Sequence, residues 1–209
     1  MPMQLDSLSH QQRWNQWNQA APPKYPHEKI IQFVFRNFPA SVRSKSKVLD
    51  LGCGSGVHTV FLANEGFEVC ASDISTDGIT NTQKRLSSLG LHADLRAESV
   101  DEISFPKDSF DLVISCGVFD CAGIETTKNS ISKIASVLKP KGKGFFLFAS
   151  DIDFRIQKEN PLGLHGYSSQ EVELIFHQYD WSLLFIDRYI TTFQNQAFQS
   201  NDFLVTVEK

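Results

Sequence analysis

The sequence predicts an α/β fold with a seven-stranded, mostly parallel sheet. Three observations lead to this prediction. Segments of strand character alternate with segments of helical character through most of the chain, which is typical of parallel strands joined by helices. The last two β-type runs, 181–191 and 202–207, have no helix between them, so we expect them to pair antiparallel at one end of the sheet. No repeat at a fixed period is visible, which argues against a solenoid or a propeller.

Hydrophobic spacing places the elements in order along the chain. A first helix is expected over about 27–38, because its apolar residues recur on one helical face. Ser168 and Glu171 form the pattern of a capping box and predict a last helix after them. The remaining helices connect the five parallel strands, which we predict at 47–51, 67–73, 93–97, 110–115 and 144–149. We expect one domain over residues 1–209, with an N-terminal cap segment at 1–26 and a lid loop at 151–170.

The composition is that of an ordinary globular protein. Hydrophobic residues make up 41% and charged residues 21% of the chain, and the net charge of −4 requires no polyanionic partner. No apolar run approaches the roughly 18 residues of a membrane helix, and the N-terminus lacks the basic-then-apolar pattern of a secretory signal. We therefore expect a cytoplasmic protein without a membrane partner. The four cysteines have no CxxC spacing and are expected to be reduced thiols, with no metal bound.

A glycine-rich turn follows the first predicted strand, in the run Asp50-Leu51-Gly52-Cys53-Gly54-Ser55-Gly56. Glycines at alternate positions let the backbone turn sharply and let a ligand approach closely. A helix begins directly afterwards, so we expect its N–H groups to face the same place. Asp73 ends the second strand, where a carboxylate can accept both hydroxyls of a ribose. The arrangement predicts a cofactor that contains a nucleoside.

Two cofactors fit this outline, and two residues separate them. A dinucleotide-binding turn has the pattern GxGxxG, but Val57 follows Gly56, so the third glycine comes one place early. Asp50 would lie near a bound pyrophosphate and repel it. S-adenosylmethionine has no phosphate, and its sulfonium and ammonium groups favour a nearby acid. The residues favour S-adenosylmethionine, with an NAD-dependent oxidoreductase as the alternative.

The chain resembles the class I S-adenosylmethionine-dependent methyltransferases in four motifs that occur in the family's order. VLDLGCGSG at 48–56 is similar to the first motif, and ASDIS at 71–75 is similar to the acidic end of the second strand. SFPKDSFDLVIS at 104–115 and SVLKPKGKGFFLF at 136–148 are similar to the stretches that lead into strands four and five. The resemblance covers about 45–150 well and the C-terminal strand pair more loosely. It implies a Rossmann-like three-layer sandwich and methyl transfer from S-adenosylmethionine.

The resemblance also implies roles for individual residues. The backbone of residues 52–54 would line the methionine and the ribose, Asp50 would hold the amino group, and Asp73 would bind the ribose. Ile74 would pack on the adenine, and Ser99 stands where the family often has an Asp, so Glu98 is the alternative for that contact. The implied cofactor-binding residues are Asp50, Gly52, Cys53, Gly54, Gly56, Asp73, Ile74, Ser99, Val100 and Ser115.

The residues that act on the methyl acceptor are less clearly marked. A base is needed only when the acceptor is protonated, and Asp120 and His165 are the candidates because they follow predicted strands. His58 is a further candidate for the cofactor. We expect acceptor selection from the cap and the lid through Trp14, Trp17, Tyr25, Phe154, His165 and Tyr167.

The modest size of the cap and the lid favours a small-molecule acceptor. Basic residues cluster at 43–47 and 139–143, each directly before a strand, so we expect a solvated rim on the edge away from the site and no nucleic-acid partner. A non-catalytic S-adenosylmethionine-binding regulatory or partner protein is the alternative. The sequence leaves the oligomeric state open.

Overall fold

The structure, a computed structural model, describes residues 8–20, 22–157, 160 and 162–209. Residues 1–7 and 21 of the predicted cap segment, and residues 158, 159 and 161 of the predicted lid loop, lie outside the described residues. The helices are α1 (His10–Ala20), α2 (Glu28–Asn37), α3 (Ala40–Arg43), α4 (Val57–Asn64), α5 (Thr76–Ser88), α6 (Phe119–Ala122), α7 (Ile124–Val137), α8 (Phe154–Gln157) and α9 (Ser169–Phe176). The strands are β1 (Lys47–Leu51), β2 (Glu68–Asp73), β3 (Asp94–Ala97), β4 (Phe110–Cys116), β5 (Leu138–Ala149), β6 (Leu183–Phe193) and β7 (Phe198–Glu208).

The strand order is β3-β2-β1-β4-β5-β7-β6. The pairs β1–β2, β2–β3 and β4–β5 are parallel, whereas β7 pairs antiparallel with both β5 and β6. The prediction of a mostly parallel seven-stranded sheet with a C-terminal antiparallel pair is confirmed. The chain divides into two compact units, Met1–Val100 and Asp101–Lys209. The prediction of one domain over residues 1–209 stays a prediction.

The first unit is built on the three parallel strands β1, β2 and β3. Four of the five residues of β1 are buried, which explains why its sequence is a nearly continuous apolar run. Ile30 and Val34 are buried on α2 and Phe38 is buried just after it, as their spacing predicts, whereas Ile31 of the same predicted face is only partly buried. Arg43, expected in a solvated rim, is buried instead: its Nε donates to the Phe38 carbonyl at 2.8 Å, and it pairs with Glu65. The expectation for Arg43 was wrong because the short helix α3 turns this side chain inwards.

In the second unit, α6 and α7 pack on β5 and α8 packs on β7, around a phenylalanine-rich core. This core consists of Phe119, Phe146, Phe148, Phe176 and Phe203, all of them fully buried. Strand β5 begins at Leu138, six residues earlier than Gly144, where the sequence placed its start. Helix α7 ends at Val137 and β5 begins at the next residue, so the chain enters the strand directly rather than through a loop. The capping box of Ser168 and Glu171 at the start of α9 is confirmed.

One ion-pair network joins α8 to β7. Arg155 donates from Nε and Nη2 to the two carboxylate oxygens of Asp153, at 2.8 and 2.9 Å, and also pairs with Asp202. Burial alone would raise the pKa of Asp153, but hydrogen bonds from Arg155 and from the Asn201 N–H bring that pKa below its ordinary value. The side chain of Asp153 is 0% exposed and that of Asp202 is 6% exposed. Both carboxylates therefore depend on Arg155 for compensation of their charge.

We predict that Arg155→Leu destabilises the protein by about 3 kcal/mol, because it leaves two buried carboxylates without their cation. The measurement is urea unfolding at neutral pH, with Arg36→Leu as the control, since Arg36 is an exposed arginine at the end of α2. Equal unfolding free energies for the two variants would contradict the assigned role of the network.

Candidate functional site

The turn between β1 and α4 has a backbone that favours glycine at three positions. Gly52, Gly54 and Gly56 have φ angles of 76°, 52° and 79°, in the left-handed region that side chains disfavour. Gly56 is also the N-cap of α4. The alternating glycines of the sequence therefore shape the loop itself, as the sequence predicts.

Four N–H groups of this loop are engaged within the first unit. Those of Gly52 and Cys53 donate to the Ser72 carbonyl, at 2.8 and 2.9 Å. The N–H of Gly54 donates to Oδ2 of Asp73 at 2.7 Å, and that of Gly56 to the Cys53 carbonyl at 2.9 Å. A pyrophosphate binds to free N–H donors, and a carboxylate beside those donors would repel it. The loop is therefore unsuited to a dinucleotide phosphate.

Asp73 joins the glycine loop to the turn that follows β2. Its Oδ1 accepts the N–H of Ser75 at 2.7 Å, while Oδ2 accepts the N–H of Gly54. Burial raises the pKa of this carboxyl, and the two backbone N–H groups counteract that rise. Each carboxylate oxygen can accept a second hydrogen bond. The carboxylate is therefore fixed in place and keeps capacity for two hydroxyl donors.

Asp50 lies at the end of β1 and is only 2% exposed. Thr59 of α4 donates from its hydroxyl to Oδ2 of Asp50 at 2.6 Å. Burial raises the pKa of Asp50 to about 7; the Thr59 hydrogen bond opposes this rise and the Asp73 carboxylate adds to it. A cation placed beside Asp50 would favour its ionised form. Two neighbouring carboxylates suit a positively charged ligand and not an anionic one.

Close packing of α5 against the loop depends on two residues that the sequence analysis did not identify. A Cβ on Gly78 would lie 2.8 Å from the Gly54 carbonyl oxygen, so only glycine permits this approach. Thr82 donates from Oγ1 to the same carbonyl at 3.0 Å. The sequence does hold a signal for Gly78, since glycine is uncommon inside a helix. Cys53 is buried beside Thr82, with its Sγ 4.0 Å from Oγ1, and burial raises the pKa of its thiol.

The remaining predicted cofactor residues of the first unit lie around Asp73 or follow β3. Ile74 comes directly after Asp73 and is partly exposed. The N–H of Glu98 donates to the Asp73 carbonyl at 3.1 Å, which ties the segment containing Ser99 and the buried Val100 to the end of β2. The hydroxyl of Ser55 is buried without a hydrogen-bond partner among the described residues. An uncompensated polar atom in this loop is consistent with a polar ligand.

The two candidate bases, Asp120 and His165, and the predicted cofactor residue Ser115 lie in the second unit. Ser115 is buried in β4, and Asp120 is buried in the short helix α6. Burial raises the pKa of Asp120 to about 6; Arg155 lowers it and Asp202 raises it further. The N–H of His165 donates to the Asp120 carbonyl at 2.7 Å, so the structure brings these two candidates together. Nε2 of His165 lies 3.5 Å from Oε1 of Glu171.

Other candidates have structural roles in the fold. Tyr167 is fully buried, and its hydroxyl donates to the Phe119 carbonyl at 3.0 Å and lies 2.7 Å from Oγ1 of Thr127. Its expected place among acceptor-selecting residues was therefore wrong. Nε2 of His58 accepts the N–H of His27 at 3.0 Å, and burial lowers the pKa of His58 to about 4. This hydrogen bond holds the start of α2.

Two further expected acceptor residues differ in their surroundings. Phe154 packs on Phe193 and Phe198, with ring centroids 5.2 and 5.6 Å apart, whereas Tyr25 is 82% exposed. Within the described ranges, no group of three or more His, Cys, Asp and Glu residues is placed to hold a metal. Among the helices of the same ranges, none combines the length and the hydropathy that a membrane span requires.

The glycine loop and the strands around it lie in a part of the chain that is similar to known proteins. Residues 48–142 match the family model described as a methyltransferase domain. The chain contains a class I S-adenosylmethionine-dependent methyltransferase domain. The chain is 30% identical over 148 residues to YqeM of Bacillus subtilis (strain 168), which carries a methyltransferase name. That match covers 67% of this chain and 56% of YqeM.

Other relatives of this methyltransferase domain carry names with different acceptors. A ubiquinone biosynthesis O-methyltransferase of Xanthomonas axonopodis pv. citri (strain 306) is 29% identical over 63% of this chain and 55% of its own length. A ribosomal RNA small subunit methyltransferase C of Alcanivorax borkumensis is 32% identical over 46% of this chain and 30% of its own length. The matches thus cover little more than half the length of YqeM and of the ubiquinone relative, and less than a third of the ribosomal RNA relative.

A solved structure shows the same fold across nearly the whole chain. The magnesium protoporphyrin IX methyltransferase of Synechocystis PCC 6803, solved with bound S-adenosylhomocysteine, has a TM-score of 0.71 at 17% identity. The match covers 96% of this chain and 95% of that one. The Rossmann-like fold class is therefore confirmed.

We predict that S-adenosylmethionine binding weakens as the pH falls below 7. The pKa of Asp50 is raised to about 7, so Asp50 is increasingly protonated below that pH and must lose its proton to face a cation. Each pH unit below this value then costs up to about tenfold in affinity, and the affinity becomes constant above it. The measurement is calorimetric titration between about pH 6 and pH 8. In Asp50→Asn this pH dependence should disappear, and the same profile in both proteins would exclude Asp50 from the ammonium site.

Proposed function

We propose that this chain transfers the methyl group of S-adenosylmethionine to a small-molecule acceptor. The observation that carries the proposal is the Asp73 carboxylate, held by the N–H groups of Gly54 and Ser75 at the end of β2. A fixed carboxylate suits the two hydroxyls of a ribose, and the engaged N–H groups of the loop disfavour a phosphate beside it. This combination fits S-adenosylmethionine better than it fits NAD.

In this proposal, different residues of the first unit bind different parts of the cofactor. Asp73 would accept hydrogen bonds from the ribose, and Asp50 would face the amino group of the methionine. Ile74 and Val100 would contact the adenine, with Ser99 at its edge. When bound, S-adenosylmethionine supplies the activated methyl group, so the protein has mainly to align the acceptor.

Two observations support a small-molecule acceptor. The net charge of −4 gives no general attraction for nucleic acid. Ubiquinone biosynthesis, which names one relative, concerns a small molecule. The relative with a ribosomal RNA name matches less than half of this chain. RNA is therefore the alternative acceptor that an experiment has to test.

Asp120 is the proposed general base for an acceptor that carries a hydroxyl. Its pKa of about 6 leaves it ionised at neutral pH and closer to that pH than an ordinary aspartate. His165, which is hydrogen-bonded to the backbone of Asp120, is the second candidate. An acceptor that is already unprotonated would need neither residue.

The test of the acceptor class is turnover with a chemically varied panel. Phenols, carboxylic acids, amines, thiols and ribosomal RNA would each be incubated with the protein and S-adenosylmethionine. We expect S-adenosylhomocysteine to accumulate with one small-molecule class, together with a product heavier by one methylene group. Turnover of RNA alone would contradict the small-molecule assignment, and no turnover with any acceptor would favour a non-catalytic binding protein.

We predict that Asp73→Asn weakens the binding of S-adenosylhomocysteine by roughly 1–3 kcal/mol, the scale of a hydrogen bond to a charged group. The matched control is Asp94→Asn, since Asp94 is half exposed on β3 and pairs with Arg96. Calorimetric titration gives both affinities, and thermal unfolding shows that both variants are folded. Equal affinity for the two variants would remove Asp73 from the ribose site.

A further inference from the structure

Helix α1 is attached to the turn between β2 and α5 through polar side chains. Oδ1 of Asn15 accepts the hydroxyl of Ser75 at 2.7 Å and the N–H of Asp77 at 3.4 Å. Nε2 of Gln11 donates to the Ile74 carbonyl at 2.9 Å. The contacts are therefore made to Ile74 and Ser75, which directly follow Asp73, and to Asp77 in the first turn of α5.

The second half of α1 continues the same attachment along α5. Nε2 of Gln19 donates to Oδ2 of Asp77 at 2.8 Å, and Asn81 donates from Nδ2 to the Asn18 carbonyl at 3.0 Å. Asn18 is only 4% exposed and lies beside the glycine loop, since a Cβ on Gly54 would be 3.5 Å from its Oδ1. The helix therefore contacts both the loop and the turn that Asp73 joins.

The polar character of these contacts distinguishes them from ordinary core packing. Asn18 is the one buried residue of α1, and its side chain is an amide. Hydrogen bonds depend on direction as well as distance, so they fix the position of the turn more closely than apolar burial does. His10 of α1 also acts on Asp73: burial raises the pKa of Asp73, and His10 is among the groups that counteract this rise.

Ser75 connects α1 to the ribose-binding carboxylate. Its N–H donates to Oδ1 of Asp73, and its hydroxyl donates to Asn15 and accepts the N–H of Gly78 at 2.9 Å. Asn15 thereby holds the residue that holds Asp73. We propose that α1 is part of the cofactor site and that Asn15 is a positioning residue, which acts through Ser75 to orient the Asp73 carboxylate towards the ribose hydroxyls.

This inference rests on the proposed function, because it assumes a cofactor with a ribose. It gives α1 a different role from the acceptor selection that the sequence suggested for the cap segment. The helix would set the affinity for the cofactor, whereas the acceptor would be chosen elsewhere. Cofactor binding would also stabilise α1, because both contribute to the order of the same turn.

The experiment compares Asn15→Ala with Gln16→Ala, since Gln16 takes no part in these hydrogen bonds. Each variant and the wild-type protein are titrated with S-adenosylhomocysteine and with its 2′,3′-dideoxy analogue, which lacks both ribose hydroxyls. We expect Asn15→Ala to lose about 2-fold to 10-fold in affinity for S-adenosylhomocysteine, the scale of one hydrogen bond. Its affinity for the dideoxy analogue should equal that of the wild type, and Gln16→Ala should match the wild type with both ligands. Alanine is the stronger helix former, so a loss of affinity would not come from a lower helix propensity of α1.

Three results would overturn the inference. Asn15→Ala matching Gln16→Ala with S-adenosylhomocysteine would show that Asn15 has no effect on the site. Equal losses with both ligands would show that Asn15 acts on the fold and not on the ribose. No binding of S-adenosylhomocysteine by the wild type would overturn the proposed function together with this inference, whereas the first two results leave the proposed function intact.

Hydrogen exchange of the wild-type protein gives a second test that needs no variant. We expect S-adenosylhomocysteine to slow exchange in α1 more than in α9, which lies in the other unit. Unchanged exchange in α1 at saturating ligand would contradict the inference.

Discussion

The hydrogen bond between the Gly54 N–H and the Asp73 carboxylate is the interaction on which the rest of the site depends. It joins the loop after β1 to the end of β2, across 19 residues of sequence. The bond is short, its acceptor is a carboxylate oxygen, and it is partly buried, which are conditions that strengthen a hydrogen bond. It forms because Gly54 adopts a positive φ that directs its N–H towards β2.

The chemistry of the site follows from this bond. Because the Gly54 N–H is bonded to the Asp73 carboxylate, it is not free to donate to a phosphate, whereas the carboxylate itself favours hydroxyls and cations. Asp50 adds a second buried acid to the same unit; burial raises the pKa of Asp50 to about 7, and repulsion from the Asp73 carboxylate adds to that rise. A ligand with a positive charge and a ribose compensates the charge of Asp50 and supplies hydroxyl donors to Asp73. A dinucleotide supplies the ribose hydroxyls but brings a pyrophosphate towards the two carboxylates.

The sequence predicts the parts of this structure that depend on local pattern. Apolar runs mark the strands, alternate glycines mark the loop, and Ser168 with Glu171 marks the start of α9. Residues whose role comes from distant partners are not predictable in this way. Thr82 contacts the Gly54 carbonyl 28 positions away, and Asp153 meets the N–H of Asn201 48 positions away. Tyr167 is of a residue type that often binds ligands, but it is buried here, because its hydroxyl forms hydrogen bonds with Thr127 and Phe119 within the core.

The most direct measurement is calorimetric titration of the purified protein with S-adenosylmethionine, S-adenosylhomocysteine and NAD in parallel. The account predicts saturable binding of the first two with one site each and no binding of NAD. Binding of NAD alone would contradict it, because the engaged loop and the two carboxylates should exclude a pyrophosphate.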